Sequence, residues 1–464
     1  MNNTMQQLQQ KDAYKLLHYG SIAFARAEQQ GIRVDTSYLN QKQKELTDDI
    51  EKVENKLKNT KFWREWREAR NGQEPNYNSN PQLKYFLYQV KGYEPFKTTA
   101  TGAGSTDEES LKQLGIKELD YILRIRKLKK IRDTYLNGLL VETVRGYIHP
   151  FQNLHTVRTF RSSSSLFNFH NLPKRDDEAM RAVRSAIYPR PGHRFLEVDF
   201  GALEVAISAC IHQDPTMLSY LREGGDMHKD VAEQIFMMNI DKSTEYGNYL
   251  RKATKNSFTF PQFYGDYYKN NASSICKWTG LPYKKFRKGK GTKLEDKYLS
   301  DHFIENGIKS YDDLVEHMRN IEDDFWNNRF PVYQKWKDEI WEFYKENGYI
   351  TSPTGFVFKG VMRKNDVNNY PVQASAFHCL LWSFIQSDWK IKNEGWRSKL
   401  VNQVHDSMLI DNHPDEFDDM IDVVKQITTV DLSNNWGWII TPLTVGFEAG
   451  EVDESWADIK EIDV

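Results

Sequence analysis

Apolar residues recur at helical spacing over most of this chain, and the stretches that break the rule stand out. Residues 12–58 read as two helices separated by a turn at 31–35, with a Lys/Glu-rich stretch, 41–58, in the second. A polar Gly/Asn/Pro-bearing loop follows at 71–81, then short helices and a Thr/Gly-rich loop at 97–106. Over 121–135, Ile122, Ile125, Leu128 and Ile131 mark one helical face, while Arg124, Arg126, Lys127, Lys129, Lys130 and Arg132 cover much of the remainder. Such a helix is either solvated and amphipathic or built to track phosphates, and the pattern leaves both open.

The centre changes character. Residues 195–200 (FLEVDF) form a short apolar run ending in an acid, and a helical pattern starts after Gly201. Helices are expected over 226–264 and 311–346, with a basic glycine-bearing loop at 283–293 between them. Residues 400–410 (LVNQVHDSMLI) carry two β-prone arms around His405 and Asp406, the pattern of a hairpin. Strand-like 441–450 (TPLTVGFEAG) lies near the end, and there is no internal repeat.

Composition narrows the picture only a little. The chain has 464 residues, 39% hydrophobic and 28% charged, with room for several structural units. No apolar run approaches the roughly 20 residues of a membrane span, and the first residues lack a signal core, so a cytoplasmic protein with no membrane partner is expected. Cys210, Cys276 and Cys379 are far apart and match neither a zinc pattern nor a disulfide framework. With a net charge of −2, phosphate binding must come from local patches.

Two acids stand out by position. Asp199 ends the run 195–200, and Asp406 sits in the expected hairpin. Acids at strand ends lie exposed at a sheet edge, and two brought together can hold two divalent cations that neutralise a transferring phosphate. Position alone does not separate them from the other carboxylates. The motifs around them do.

Residues 198–204 (VDFGALE) resemble motif A of family A DNA polymerases, the bacterial DNA polymerase I group. Residues 251–265 (RKATKNSFTFPQFYG) resemble motif B, and 403–406 (QVHD) resemble motif C. In order around these, 159–161 with 168–173 is similar to the family's TGR…NLQNIP element, 226–228 to its Asp-x-His, and 369–373 to its Asn-x-Pro-x-Gln helix. The turn at 31–35, the basic helix 121–135 and Trp456 also fit, so the likeness runs from about residue 12 to the end.

The resemblance implies an α+β right hand: a palm with an antiparallel sheet, and helical fingers and thumb. Its expected units are a palm entry at 1–40, thumb at 41–145, palm with motif A at 146–225, fingers at 226–365, and palm with motif C at 366–464. It implies a DNA-dependent DNA polymerase, in replication or repair, that extends a primer 3′-OH on a DNA primer-template with dNTPs. Asp199 and Asp406 would be catalytic and hold two Mg2+ ions, for which Mn2+ can substitute, with the backbone carbonyl of Phe200 as a further ligand. Glu204 would be the steric gate against a ribose 2′-OH. His228, Arg251 and Lys255 would hold the triphosphate, and Phe260 and Tyr264 would pack on the incoming sugar and base. Arg161, Asn369, Gln373 and His405 would face the primer-template, with Lys127 and Lys130 on its phosphates.

Departures from the family pattern are specific. Phe200, Gly201, Ala202 and Ala206 replace Tyr, Ser, Gln and Arg of motif A, Ser407 replaces a Glu after motif C, and 355–358 replaces a Gly-Arg-Arg run. The thumb-like region begins within about 40 residues of Met1, so no N-terminal proofreading domain is expected. A separate exonuclease, helicase or processivity factor would then be a partner, and the layout points to a phage type. Two other readings stay open: a single-subunit RNA polymerase-like enzyme, against which Glu204 argues, and an inactive primer-template scaffold, against which Asp199, Asp406, Arg251 and Lys255 argue.

Motif B also departs in its phase. The family spaces its two cations, aromatic and tyrosine four apart, whereas Phe260 and Tyr264 here follow Arg251 at +9 and +13. In a straight helix Phe260 would then lie roughly 180° from Arg251, and Lys252 and Asn256 would take over the stripe. An extra residue absorbed as a π-bulge restores the face. Pro261 cannot donate to the preceding turn and crowds it, so a bulge or kink is expected within 255–260.

Overall fold

In the computed structural model, which describes residues 8–99, 101–174 and 176–464, apolar side chains gather into three cores. The first is built mainly in a helical arm and is joined by Phe195, Val401, Leu409 and Trp456 from later in the chain. Ile122, Ile125, Leu128 and Ile131 are all buried there against Leu46 and Ile50 of the helix Thr36–Lys58 and against Trp66 and Phe86. Burying each such side chain is worth roughly 1.5–3 kcal/mol, so the stripe read from spacing is what pins this helix. The helix Lys117–Lys129 passes into a π-helical turn at Lys130–Leu136.

One expectation in this region is corrected. The stretch 31–35 is not simply a turn: Ile32–Val34 is a strand, paired antiparallel with Tyr147–Ile148 and Ile187–Tyr188. Ile32 and Val34 are buried and Arg33 only half so, a period of two that three residues cannot announce in sequence.

The second core joins the helices between 215 and 333, with Val231, Phe236, Leu250, Phe258, Phe303 and Phe325 at its centre. Within it, the helix Glu245–Thr254 becomes π-helical over Lys255–Thr259, where the Phe260 N–H donates to the Lys255 carbonyl. It resumes over Phe260–Phe263, with Pro261 in the first turn. The bulge expected from motif spacing is therefore present.

The third core lies beneath a five-stranded antiparallel sheet. Its strands are β1 (Arg194–Phe200), β2 (Lys399–Val404), β3 (Ser407–Asn412), β4 (Val445–Ala449) and β5 (Lys460–Ile462), in the order β5-β4-β1-β3-β2. Alternation sorts β1: Leu196, Val198 and Phe200 enter this core, while Phe195, Glu197 and Asp199 face the opposite side. Under the sheet runs the 30-residue helix Lys364–Asn393, on which the helix Gln10–Gln30 packs through Phe24 and Phe384, 5.1 Å between rings. Close approach needs Gly20, where a Cβ would lie 2.9 Å from Leu381 Cδ1. Among the described residues no helix is long and apolar enough to cross a membrane.

Candidate active site

The register of β1 and β3 sets Asp199 opposite Ser407, next to the two-residue turn that holds His405 and Asp406. The Phe200 N–H donates to the Asp406 carbonyl at 3.2 Å, tying that turn to the end of β1. His405 takes a left-handed φ of 57°, a conformation that costs a non-glycine residue on the order of 1–3 kcal/mol. Strain thus sits in the turn that presents Asp406. The backbone carbonyl of Phe200, read as a ligand, belongs to the last residue of β1.

Burial and the neighbouring Asp406 charge push Asp199 up to about 7, with Lys174, 3.9 Å away, as a partial counter-charge. Asp199 Oδ1 is buried without a hydrogen-bond partner. A carboxylate oxygen that is buried, unpaired and beside a second carboxylate is an arrangement that a cation completes.

Below the pair lies a buried network that explains one departure. Ser407 Oγ donates to Glu197 Oε1 at 3.0 Å, and Trp456 Nε1 donates to Glu197 Oε2 at 2.8 Å. Arg184 stacks on Trp456 at 4.0 Å and reaches Glu197 at 3.9 Å. Ser407 therefore serves a carboxylate on the adjacent strand. Gly201 has a reason as well: a Cβ there would lie 2.5 Å from Thr444 Oγ1.

A second group forms around Glu204, in the first turn of the helix Leu203–His212. Arg161 donates to Glu204 Oε1 at 3.1 Å, while Glu204 Oε2 is buried and unpartnered. Glu204, Phe260, Tyr264, Asn369 and Gln373 line one cavity of about 20 Å³, together with Tyr333. Asn369 and Gln373 share it because residues four apart lie on one helical face. The Asn369 side chain also donates to the Tyr264 carbonyl at 3.1 Å. Tyr264 is 47% exposed overall, yet burial of its hydroxyl end and the Glu204 charge raise it above an ordinary phenol.

The third group is cationic. Arg251 binds Asp226 through Nε at 2.8 Å, and Lys242 reaches the same acid at 3.0 Å. Burial alone would raise Asp226, but these two cations hold it at about 2. Lys255 Nζ lies 5.1 Å from the Phe260 ring centroid, and His228 meets the same ring edge-on at 5.4 Å. Burial, then Lys255 and Arg251, lower His228 to about 4, so it is neutral at pH 7. The bulge brings Arg251, Lys255 and Phe260 together with His228, while Lys252 is exposed.

The residues expected along the primer-template fare unevenly. His405 packs near His170, 5.5 Å between rings, at the edge of the carboxylate pair. Lys127 is not free: it pairs with Asp176 at 2.7 Å and Glu178 at 2.9 Å, and Arg124 holds Glu178 as well. Arg126 donates to the Tyr77 carbonyl and Lys129 pairs with Glu54. Among the described residues Lys130 has only the Tyr135 ring, at 5.7 Å. Glu178, Asp176 and Glu54, on other elements, thus supply the acids that pair with Arg124, Lys127 and Lys129.

Sequence reading missed Lys174 and the role of Asp226. Asp226 carried one signal, its place just before a helix, where it accepts the Lys229 N–H. Lys174 carried none.

A sheet bearing paired carboxylates between two helical arms defines the right-hand polymerase fold. The family model described as DNA polymerase family A matches residues 36–286, and the chain belongs to that family. It is 26% identical to DNA polymerase I of Geobacillus stearothermophilus over 453 residues, 94% of this chain and 45% of the relative. It is 26% identical to DNA polymerase I of Caldicellulosiruptor bescii over 416 residues, 86% of this chain and 42% of that protein. It is also 25% identical to a DNA polymerase of Bacillus phage SP01 over 390 residues, 79% of this chain and 38% of that protein. The chain thus spans less than half the length of these three relatives. Among solved structures, the POL domain of Pol1 from M. smegmatis, in complex with DNA primer-template and dNTP, superposes with a TM-score of 0.73 at 23% identity, covering 95% of this chain and 70% of that one.

Proposed function

We propose that the protein extends the 3′-OH of a DNA primer with dNTPs, as directed by a DNA template. The observation that carries this reading is the juxtaposition of Asp199 and Asp406 by β1 and the β2–β3 turn, with Asp199 Oδ1 left unpaired. The donor set fits two Mg2+ ions, or Mn2+ in their place: Asp199, Asp406 and the Phe200 carbonyl are all hard oxygens. Divalent ions there supply Lewis-acid charge that eases deprotonation of the primer 3′-OH and spreads charge on the α-phosphate.

The chain's own residues do the rest. Arg251, Lys255 and the neutral His228 offer donors to a triphosphate along the bulged helix. Phe260 and Tyr264 pack on sugar and base, and Glu204 occupies the space of a 2′-OH. Arg161, Asn369, Gln373 and His405 contact the primer-template near its end, where minor-groove acceptors are largely sequence-independent. Lys127 and Lys130 meet phosphate only where their present partners yield. On this reading the first core is the thumb, the second the fingers and the sheet the palm, along the boundaries at 40, 145, 225 and 365. The test is primer extension by the pure protein with Mg2+ and dNTPs. No extension would overturn the proposal, and equal extension with ribonucleotides would favour an RNA polymerase-like enzyme.

Glu204→Ala should raise ribonucleotide use relative to dNTP by roughly tenfold or more, because truncation opens the cavity and leaves Arg161 unpaired. Competitive kcat/KM measurements with paired nucleotides check it. An unchanged ratio places the gate elsewhere.

A further inference from the structure

We infer that thumb and fingers latch to each other over the cleft, so that the protein encircles the DNA it holds. This rests on the polymerase reading above. Residues of the two arms meet directly. The Tyr283 hydroxyl reaches Glu109 Oε1 at 3.0 Å, across 174 residues of chain, sharing its one proton between that oxygen and the Ser273 carbonyl, also at 3.0 Å. The Tyr283 ring stands edge-on to Phe96 at 4.7 Å, and Lys97 pairs with Glu109 from the thumb side. Glu109 lies on the helix Glu108–Gln113, next to Leu111 in the thumb core, while Tyr283 packs against the fingers core through Tyr311. Palm, thumb, latch and fingers therefore form a continuous loop of protein.

The surface beside the latch is suited to a phosphate backbone. A groove of about 890 Å³ adjoins the latch at Glu109, lined by Lys112, Lys277, Lys284, Lys285, Arg287 and Lys290 with one further acid, Glu108. It shares Glu108 and Lys112 with a thumb groove of about 1090 Å³ that reaches Pro173, next to the Lys174 that faces Asp199. The basic loop contrasts with the basic helix of the thumb. Lys284, Lys285, Arg287, Lys288, Lys290 and Lys293 are all exposed, and none has an ion-pair partner among the described residues, whereas most cations of 121–135 are already neutralised. The groove's two acids are already taken, Glu108 by Lys112 and Glu109 by Lys97, so its remaining cations are held for an anion from outside, and a nucleic-acid backbone is an extended anion of that kind. Among the described residues the latch is small: one hydrogen bond and one ring pair cross between the arms, braced by the Lys97–Glu109 ion pair within the thumb. Such a contact can open to admit DNA without unfolding either arm.

The test is topological. An E109C/Y283C variant is joined by a short bismaleimide; the three native cysteines are buried, and treated wild type is the control. Joined before DNA is added, the variant should extend a short linear primer-template, which threads by its end, but should fail to load on a primed closed circle. Joined after loading, it should stay on the circle through a high-salt wash. Loading of the pre-joined protein on the circle, loss of the post-joined protein in salt, or failure of the pre-joined protein on the linear substrate would each overturn encirclement. Failure of the untreated wild type on the linear substrate would instead strike the polymerase reading. A K284E/K285E/R287E variant should also shorten the product made per binding event several-fold while keeping the single-nucleotide addition rate. Unchanged product length would remove the basic loop from the DNA path.

Discussion

Replacing either Asp199 or Asp406 with asparagine should lower primer extension roughly 10³-fold or more, because metal charge at the reacting phosphate is worth several kcal/mol and each ~1.4 kcal/mol is tenfold. Asparagine keeps the shape of the side chain. The Phe200 to Asp406 backbone contact and the β1–β3 ladder do not depend on the carboxylates and should persist. Primer-template affinity should survive, since it is spread over many phosphate contacts. Single-turnover extension and a gel-shift titration on the same preparations separate the two effects, and near-normal extension by either variant would remove the pair from the chemistry.

The same substitution should act in the opposite direction on stability. Without metal, burial and Asp406 raise Asp199 to about 7, above the ordinary carboxylate value. A raised carboxyl binds its proton more tightly in the folded state, so its contribution is present below about pH 4 and is lost as pH climbs towards 7. Asp199→Asn should therefore raise the Tm in chelator at pH 7 and flatten its decline between those values. A lower Tm at pH 7 would mean that Asp199 is held by a partner rather than opposed by a neighbour.

What the sequence disclosed about this site follows from where its constraints lie. Asp199 and Asp406 could be placed at a strand end and in a hairpin from local pattern, but only the resemblance to the family's ordered motifs singled them out, and it alone pointed to Glu204, Asn369 and Gln373. The π-bulge was legible because phase arithmetic and Pro261 act within ten residues. By contrast, the pairing of Arg124 and Lys127 with Glu178 spans about 50 residues, and Arg251 finds Asp226 across 25. No periodicity carries such partners. The strand Ile32–Val34 was too short for its alternation to register, and the Tyr283–Glu109 latch is set only by how two arms fold back over the sheet. Ser407 read as the loss of an acid, and only the β1–β3 register shows it serving Glu197.

Lys255→Ala should cut kcat/KM for dNTP by about 10- to 150-fold, the equivalent of a hydrogen bond to a charged group worth roughly 1.5–3 kcal/mol. Lys252→Ala should change it no more than about threefold, as an exposed surface substitution does. The contrast rests on the bulge. A straight helix would carry Lys252 onto the face of Phe260 and turn Lys255 off it, whereas the π turn at Lys255–Thr259 sets Lys255 Nζ over the Phe260 ring beside His228. Burial, then Arg251 and Lys252, lower Lys255 from its ordinary value, and among the described residues no carboxylate pairs with it. Arg251 differs, since Asp226 already takes its Nε. A half-buried ammonium pressed by two like charges gains most from an arriving polyanion, which makes Lys255 the residue whose removal the triphosphate should register. Presteady-state dNTP titrations of the two alanine variants decide it. Greater sensitivity at Lys252 would mean that the helix straightens when nucleotide binds and that the bulge belongs to the free protein alone.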